Sequence, residues 1–138
     1  MGGWGKFSRV GALALVAAIA AIAAVPALAL RENVTALTAL ERGRWLVHSA
    51  AQRPLARSIC LGDPALLFQL EHGPTGCVQE LVAADGRGGI VQYSCQGRGY
   101  GRTSVRVETS KVVTIDTQGL IDGRPFAYRA TARKVSDC

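Results

Sequence analysis

The segment Cys77-Val78-Gln79-Glu80-Leu81-Val82-Ala83-Ala84-Asp85-Gly86-Arg87-Gly88-Gly89-Ile90-Val91-Gln92-Tyr93-Ser94-Cys95 reads as two strands and a turn. Val78 to Ala84 and Ile90 to Cys95 are extended-type runs, and Asp85 to Gly89 is a glycine-rich reversal between them. Folded about Gly86, the chain sets Cys77 opposite Cys95, Gln79 opposite Tyr93 and Leu81 opposite Val91. All six share one face, because strand side chains alternate. Opposed Cβ atoms lie about 4.5–5.5 Å apart, near the reach of a disulfide. Four cysteines allow three pairings, and this register predicts Cys77–Cys95. It leaves Cys60–Cys138 to tie the C-terminus to the loop before a helix. A bulge in the glycine turn would shift the register.

Working outward, Thr103 to Glu108 and Lys111 to Thr117 alternate, Asp122-Gly123 marks a turn, and Phe126 to Arg133 is a final run. Gly97-Arg98-Gly99-Tyr100-Gly101-Arg102 reads as a loop between strands. Upstream, Asp63 is a helix cap and Pro64 suits a first helical position. Ala65 to His72 carries helix formers, and Gly73-Pro74 stops them. Arg44 to Ser49 reads as a first strand, broken by Gln52-Arg53-Pro54. The expected fold is therefore mostly β or α+β. It is a curved antiparallel sheet of about five to six strands with one short helix and two disulfides. Trp45, Tyr93 and Phe126 read as core.

The N-terminus has a different character. Lys6 and Arg9 precede an apolar run from Val10 to Val25, and Pro26-Ala27-Leu28-Ala29 supplies a small-x-small cleavage site. These are the regions of a secretory signal peptide. A retained anchor needs about 20 apolar residues, and this run is short and alanine-rich, which favours cleavage. No cysteine stands near the site to carry a lipid. The expected organisation is a signal helix over 1–29, a linker or short helix over 30–42, and a disulfide-stapled β-rich domain over 43–138. Export places the cysteines in an oxidising compartment, where disulfides persist. The expected location is periplasmic or secreted.

Composition narrows the chemistry. The whole chain carries +6, and loss of Lys6 and Arg9 lowers this to +4, so the mature domain is only mildly basic. Zinc sites bring cysteines in close pairs; here the cysteines are widely spaced and His48 and His72 stand alone, so neither metal nor cofactor is expected. His72 reads as a partner for the negative end of a helix. No nucleophile elbow, zinc-protease helix or phosphate loop occurs, so a catalytic site is not assigned. Asn33-Val34-Thr35 matches a glycosylation sequon, although the alanine-rich leader has a bacterial character. Arg98, Tyr100 and Arg102 are the candidate ligand or anion contacts, being basic groups around an aromatic. Export argues against nucleic acid and toward an anionic surface.

Gly43-Arg44-Trp45, then Cys60-Leu61 with Asp63-Pro64 opening a helix, then Cys77, Cys95 and a terminal Asp137-Cys138, resembles a family of small exported bacterial proteins. It is the domain-of-unknown-function family DUF 3617, and the resemblance runs from about Gly43 to Cys138. This chain differs in its abbreviated stretch between Trp45 and Cys60. The resemblance implies an exported, disulfide-bonded domain of unassigned activity, and no catalytic residues carry over from it.

The first functional expectation is a non-enzymatic binding or envelope-associated module, monomeric, for a lipid or small hydrophobic molecule held in an apolar groove. The second is a structural or protein-interaction domain that meets an envelope protein along an exposed sheet edge. A small hydrolase is third. An apolar pocket lined by Trp45, Leu81, Val91 and Tyr93 would favour the first. A filled core with a long bare edge would favour the second, and a His–carboxylate–nucleophile cluster around His48 or His72 the third.

Overall fold

The computed structural model describes Gly2 and residues 34–49, 55–74 and 76–138. The expected signal segment, Gly2 apart, and the sequon's Asn33 lie outside the described residues. Within the unit Glu32–Cys138, seven strands form one sheet: β1 (Gly43–Ser49), β2 (Leu55–Leu61), β3 (Cys77–Asp85), β4 (Gly88–Cys95), β5 (Gly99–Thr109), β6 (Val112–Ile121) and β7 (Arg124–Ser136). Their order is β2-β1-β7-β6-β5-β4-β3, and every neighbouring pair is antiparallel. Strands β3 to β7 form a meander, and the β1–β2 hairpin joins its far side through β1 and β7. Consecutive β2 and β3 therefore end at opposite edges.

That topology explains the connection between them. The chain from β2 must cross the inner face of the sheet to reach β3, and it does so as a 3-10 turn, Pro64–Phe68, packed over β5. Asp63 caps it, its carboxylate accepting from the Ala65 amide at 2.9 Å. Short i-to-i+3 bonds continue to His72, and Gly73 then reverses the chain at φ +71°. The expected helix over Ala65 to His72 is therefore a tighter, shorter element. Its Leu67 and Phe68, with Leu70 just beyond, are buried against the sheet. Each such side chain contributes about 1.5–3 kcal/mol on leaving water.

The expected count of five to six strands is corrected to seven. The strand not foreseen is β2. Ile59 and Leu61 face inward as in a half-buried strand, but Arg57 occupies the inward position before them and masks the pattern. The region 30–42 contains a second 3-10 turn, Thr35–Ala39. Its Leu37, with Val34 and Leu40 beside it, joins the main hydrophobic cluster, so this stretch packs with the sheet. Trp45 and Val47 of β1, Leu61 of β2, Leu67, Phe68 and Leu70 of the crossing segment, Val91 of β4, Val105 of β5, Val113 and Ile115 of β6, and Ala130 and Ala132 of β7 form the rest of that cluster. Trp45 is anchored by its indole N–H, which donates to the Glu41 carbonyl at 3.0 Å.

In the β3–β4 hairpin Cys77 opposes Cys95, Gln79 opposes Tyr93 and Leu81 opposes Val91. Val82 is then an extra residue: the next pair is Ala83 with Ile90, a bulge in the strand and not in the turn. The Asp85 carboxylate closes the turn, accepting from the amides of Arg87 at 2.7 Å and Gly88 at 2.9 Å. Cys77 and Cys95 are disulfide-bonded with Cα atoms 4.1 Å apart, and Cys60 and Cys138 with Cα atoms 5.8 Å apart. The second bond joins the edge strand β2 to the end of the chain; Cys60 lies in β2 itself, not in a loop. Each disulfide thus pins one edge of the sheet. Two such bonds are consistent with an oxidising extracellular or periplasmic setting.

Candidate functional site

The inner face has an apolar end around Trp45 and a polar end around His72. His72 is buried, and its Nδ1 lies 3.2 Å from the Tyr93 hydroxyl. Its ring meets Tyr93 and Phe126 edge-on, with centroids 5.2 and 6.1 Å apart. Tyr93 lies over Gly101 on the next strand, so closely that a Cβ at Gly101 would collide with the phenol. Phe126 covers Gly119 in the same way, its Cζ only 2.8 Å from where a Cβ would be. The two glycines face each other on β5 and β6 and give these rings room.

Beside His72, Glu71 accepts a hydrogen bond from the Tyr128 hydroxyl at 2.7 Å. Arg57 of β2 reaches the same carboxylate oxygen at 3.4 Å, as an ion pair without hydrogen-bond geometry. Arg57 Nε and Nη2 and His72 Nε2 are buried atoms with no hydrogen-bond partner among the described residues. Burial, reinforced by the charge of Glu71 and opposed by that of Arg57, pushes the Tyr93 phenol up to about 12. Burial also raises Tyr128, followed by the hydrogen bond and charge of Glu71. Both phenols remain protonated across the physiological range, as hydrogen-bonding groups and not nucleophiles. The network holds the end of the crossing turn against β2, β4 and β7. The expectation that His72 partners a helix end is corrected: it faces Tyr93, and no α-helix precedes it among the described residues.

Sequence reasoning did not single out Arg57 or Glu71. The available signal was a charged residue inside the Leu55/Ile59/Leu61 alternation. His48 is exposed on the outer side of β1. Among the described residues, no group of three or more His, Cys, Asp or Glu side chains could hold a metal ion. No described helix is long and apolar enough to cross a membrane.

The three candidate contacts separate. Arg98 lies in the turn before β5, where its guanidinium donates to the His72 carbonyl at 3.1 Å and pairs with Asp122 at 3.9 Å. Its role is to tie two turns together. Tyr100 and Arg102, expected in a loop, stand on β5, which begins at Gly99. The alternation that buries Gly101 and Thr103 turns both side chains to the outer face, and Tyr100 is 55% exposed. There they border a hollow of about 430 Å³ with Gln92 and Gln118. The register aligns Gln92, Arg102, Gln118 and Ala127 in one row across β4 to β7.

On β3, Val78 is 73% and Val82 45% exposed, with Glu80 between them on the outer side. The inner side of β3 is occupied: the Gln79 amide donates to Gln69 Oε1 at 2.6 Å and to the Ala65 carbonyl at 3.2 Å. On β2 the inward position carries Arg57, and Cys60 is bonded to Cys138. The inner face is filled, with Trp45, Val91 and Tyr93 each no more than 3% exposed. Comparisons with protein-family models, curated proteins and solved structures find no match to this chain.

Proposed function

We propose that the chain is an exported, non-enzymatic interaction module of the bacterial envelope, akin to the DUF 3617 family it resembles, and that β3 receives an extended strand from a partner protein. Its leader is cleaved after Ala29, and the mature chain begins at Leu30. The observation that carries the reading is the contrast between a filled inner face and an edge strand of nine residues with two exposed valines. An edge of that kind adds a strand through its free backbone groups, while alternate side chains set specificity. Glu80 has no ion-pair partner among the described residues and sits between Val78 and Val82. The complementary strand therefore carries Lys or Arg between two apolar residues on one side. A hydrophobic ligand inside the sheet has less support, because Trp45, Val91 and Tyr93 are packed against protein.

The test is a capped Val-Thr-Lys-Thr-Val peptide titrated into the purified domain, read by backbone NMR and amide exchange. Shifts and slowed exchange should concentrate on β3, and the double variant Val78→Lys, Val82→Lys should abolish them. Silence at β3, or equal effects at β2, would sink the reading. The intact mass of the exported protein, read without reductant, should be that of Leu30–Cys138 less the hydrogens of two disulfides.

A further inference from the structure

We infer that the hollow on the outer face of β4 to β7 is a binding site for an acidic sugar, a pyranose bearing a carboxylate. The inference is independent of the β3 edge and uses residues on the face of the sheet. Arg102 is exposed and has no carboxylate partner among the described residues. Its neighbours in the sheet differ. Arg106 pairs with Glu108 at 3.7 Å, and Asp116, on the same face of β6 as Gln118, is held by Arg129 at 2.7 Å. Arg102 is thus a fixed charge left for a ligand, in a fork that suits a carboxylate.

The flanking groups narrow the ligand further. Gln92 and Gln118 oppose Arg102 on its two sides. Each primary amide offers both donors and an acceptor, which matches hydroxyl groups that also do both. A sulfate only accepts and a phosphate keeps at most one or two protons to donate, so the two amide oxygens are better matched by a polyhydroxyl ring. Tyr100 supplies an exposed ring at the border, an apolar platform for the C–H face of a pyranose. Between them the floor is the strand backbone at Gly101 and Gly119, whose side-chain positions face inward, and Ala127 adds only a methyl. The volume of about 430 Å³ lies in the range of small-ligand sites, about 300–1,000 Å³. An aromatic platform, two amides and one unpaired guanidinium around a shallow floor suit a sugar acid better than a flat base or a lipid chain.

The experiment is a calorimetric and NMR titration with tetragalacturonate, the matching neutral tetragalactoside, an oligoglutamate peptide and inorganic phosphate. Tetragalacturonate should bind, with shifts at Tyr100, Arg102, Gln92 and Gln118. Arg102→Gln should weaken it about tenfold or more, the loss expected for one charge-assisted hydrogen bond. Tyr100→Ala should weaken it while leaving the fold intact, since both side chains are exposed. Val78→Lys should change nothing here, which separates this site from the β3 edge. No binding, binding unaffected by Arg102→Gln, or equal affinity for oligoglutamate or phosphate would overturn the assignment.

Discussion

The two edges of the sheet are pinned by the same chemical device and are nevertheless different surfaces. Strand β2 is short and carries Arg57 pointing inward, where it pairs with the Glu71 carboxylate that Tyr128 also bonds. An inward charge is one of the means by which natural sheets close an edge to further pairing. Strand β3 is longer, has its inner side engaged by Gln69, and leaves Val78, Glu80 and Val82 on the outside. Its pairing is regular from Cys77 to Leu81, ahead of the bulge at Val82. A disulfide fixes where an edge strand lies. The side chains decide whether that edge accepts another strand.

The largest effect should separate the two disulfides. Loop-closure entropy gives about 4.5 kcal/mol for the bond spanning 78 residues and about 3.2 kcal/mol for the one spanning 18. Denaturant unfolding of Cys60→Ala/Cys138→Ala against Cys77→Ala/Cys95→Ala measures the difference. Equal losses would mean that both edges are held mainly by their noncovalent contacts.

The next effect concerns the polar lock on β2. Tyr128→Phe removes the donor to a partly buried carboxylate and should cost about 1.5–3 kcal/mol. The same network has an alkaline limit. The Tyr93 phenol is raised from 10.0 to about 12, so its folded form holds a proton that the unfolded chain loses first. Its contribution is full below pH 10 and disappears as pH rises through about 12. Ultraviolet absorbance titration should show that late step, and Tyr93→Phe should remove it.

On the β3 side the effects are smaller. Gln79→Ala breaks the contact with Gln69 and should cost about 1 kcal/mol. Val78→Lys, at a largely exposed position, should stay within about 0.5 kcal/mol of the parent in thermal melts. A large loss from Val78→Lys would mean that this valine packs against the protein itself, and the edge comparison would fail.

Much of the sheet was legible from residues near one another in the chain. The hairpin register followed from the turn at Gly86 and the alternation on either side, because two strands joined by a tight turn have little freedom to slip. β2 was not legible, since Arg57 breaks its apolar alternation. Its partner Glu71 is distant in sequence and on no common element. Tyr100 and Arg102 were visible as a basic and aromatic pair, but glycines on both sides suggested a loop. Strand β5 absorbs Gly99 and Gly101: Gly99 sits at φ +124°, and Gly101 makes room for the Tyr93 ring.

By itself the sequence determined the antiparallel β character, the hairpin pairing and the places where the chain turns. These depend on alternation and turn chemistry, both local. Only the tertiary structure decided that β2 and β3 lie at opposite edges, that the intervening turn fills the inner face, and that Arg57 and Tyr128 meet at Glu71. It also decided that Gln92, Arg102 and Gln118 share one row. Those relations depend on which strands become neighbours, and that is set by how the whole chain buries its apolar surface.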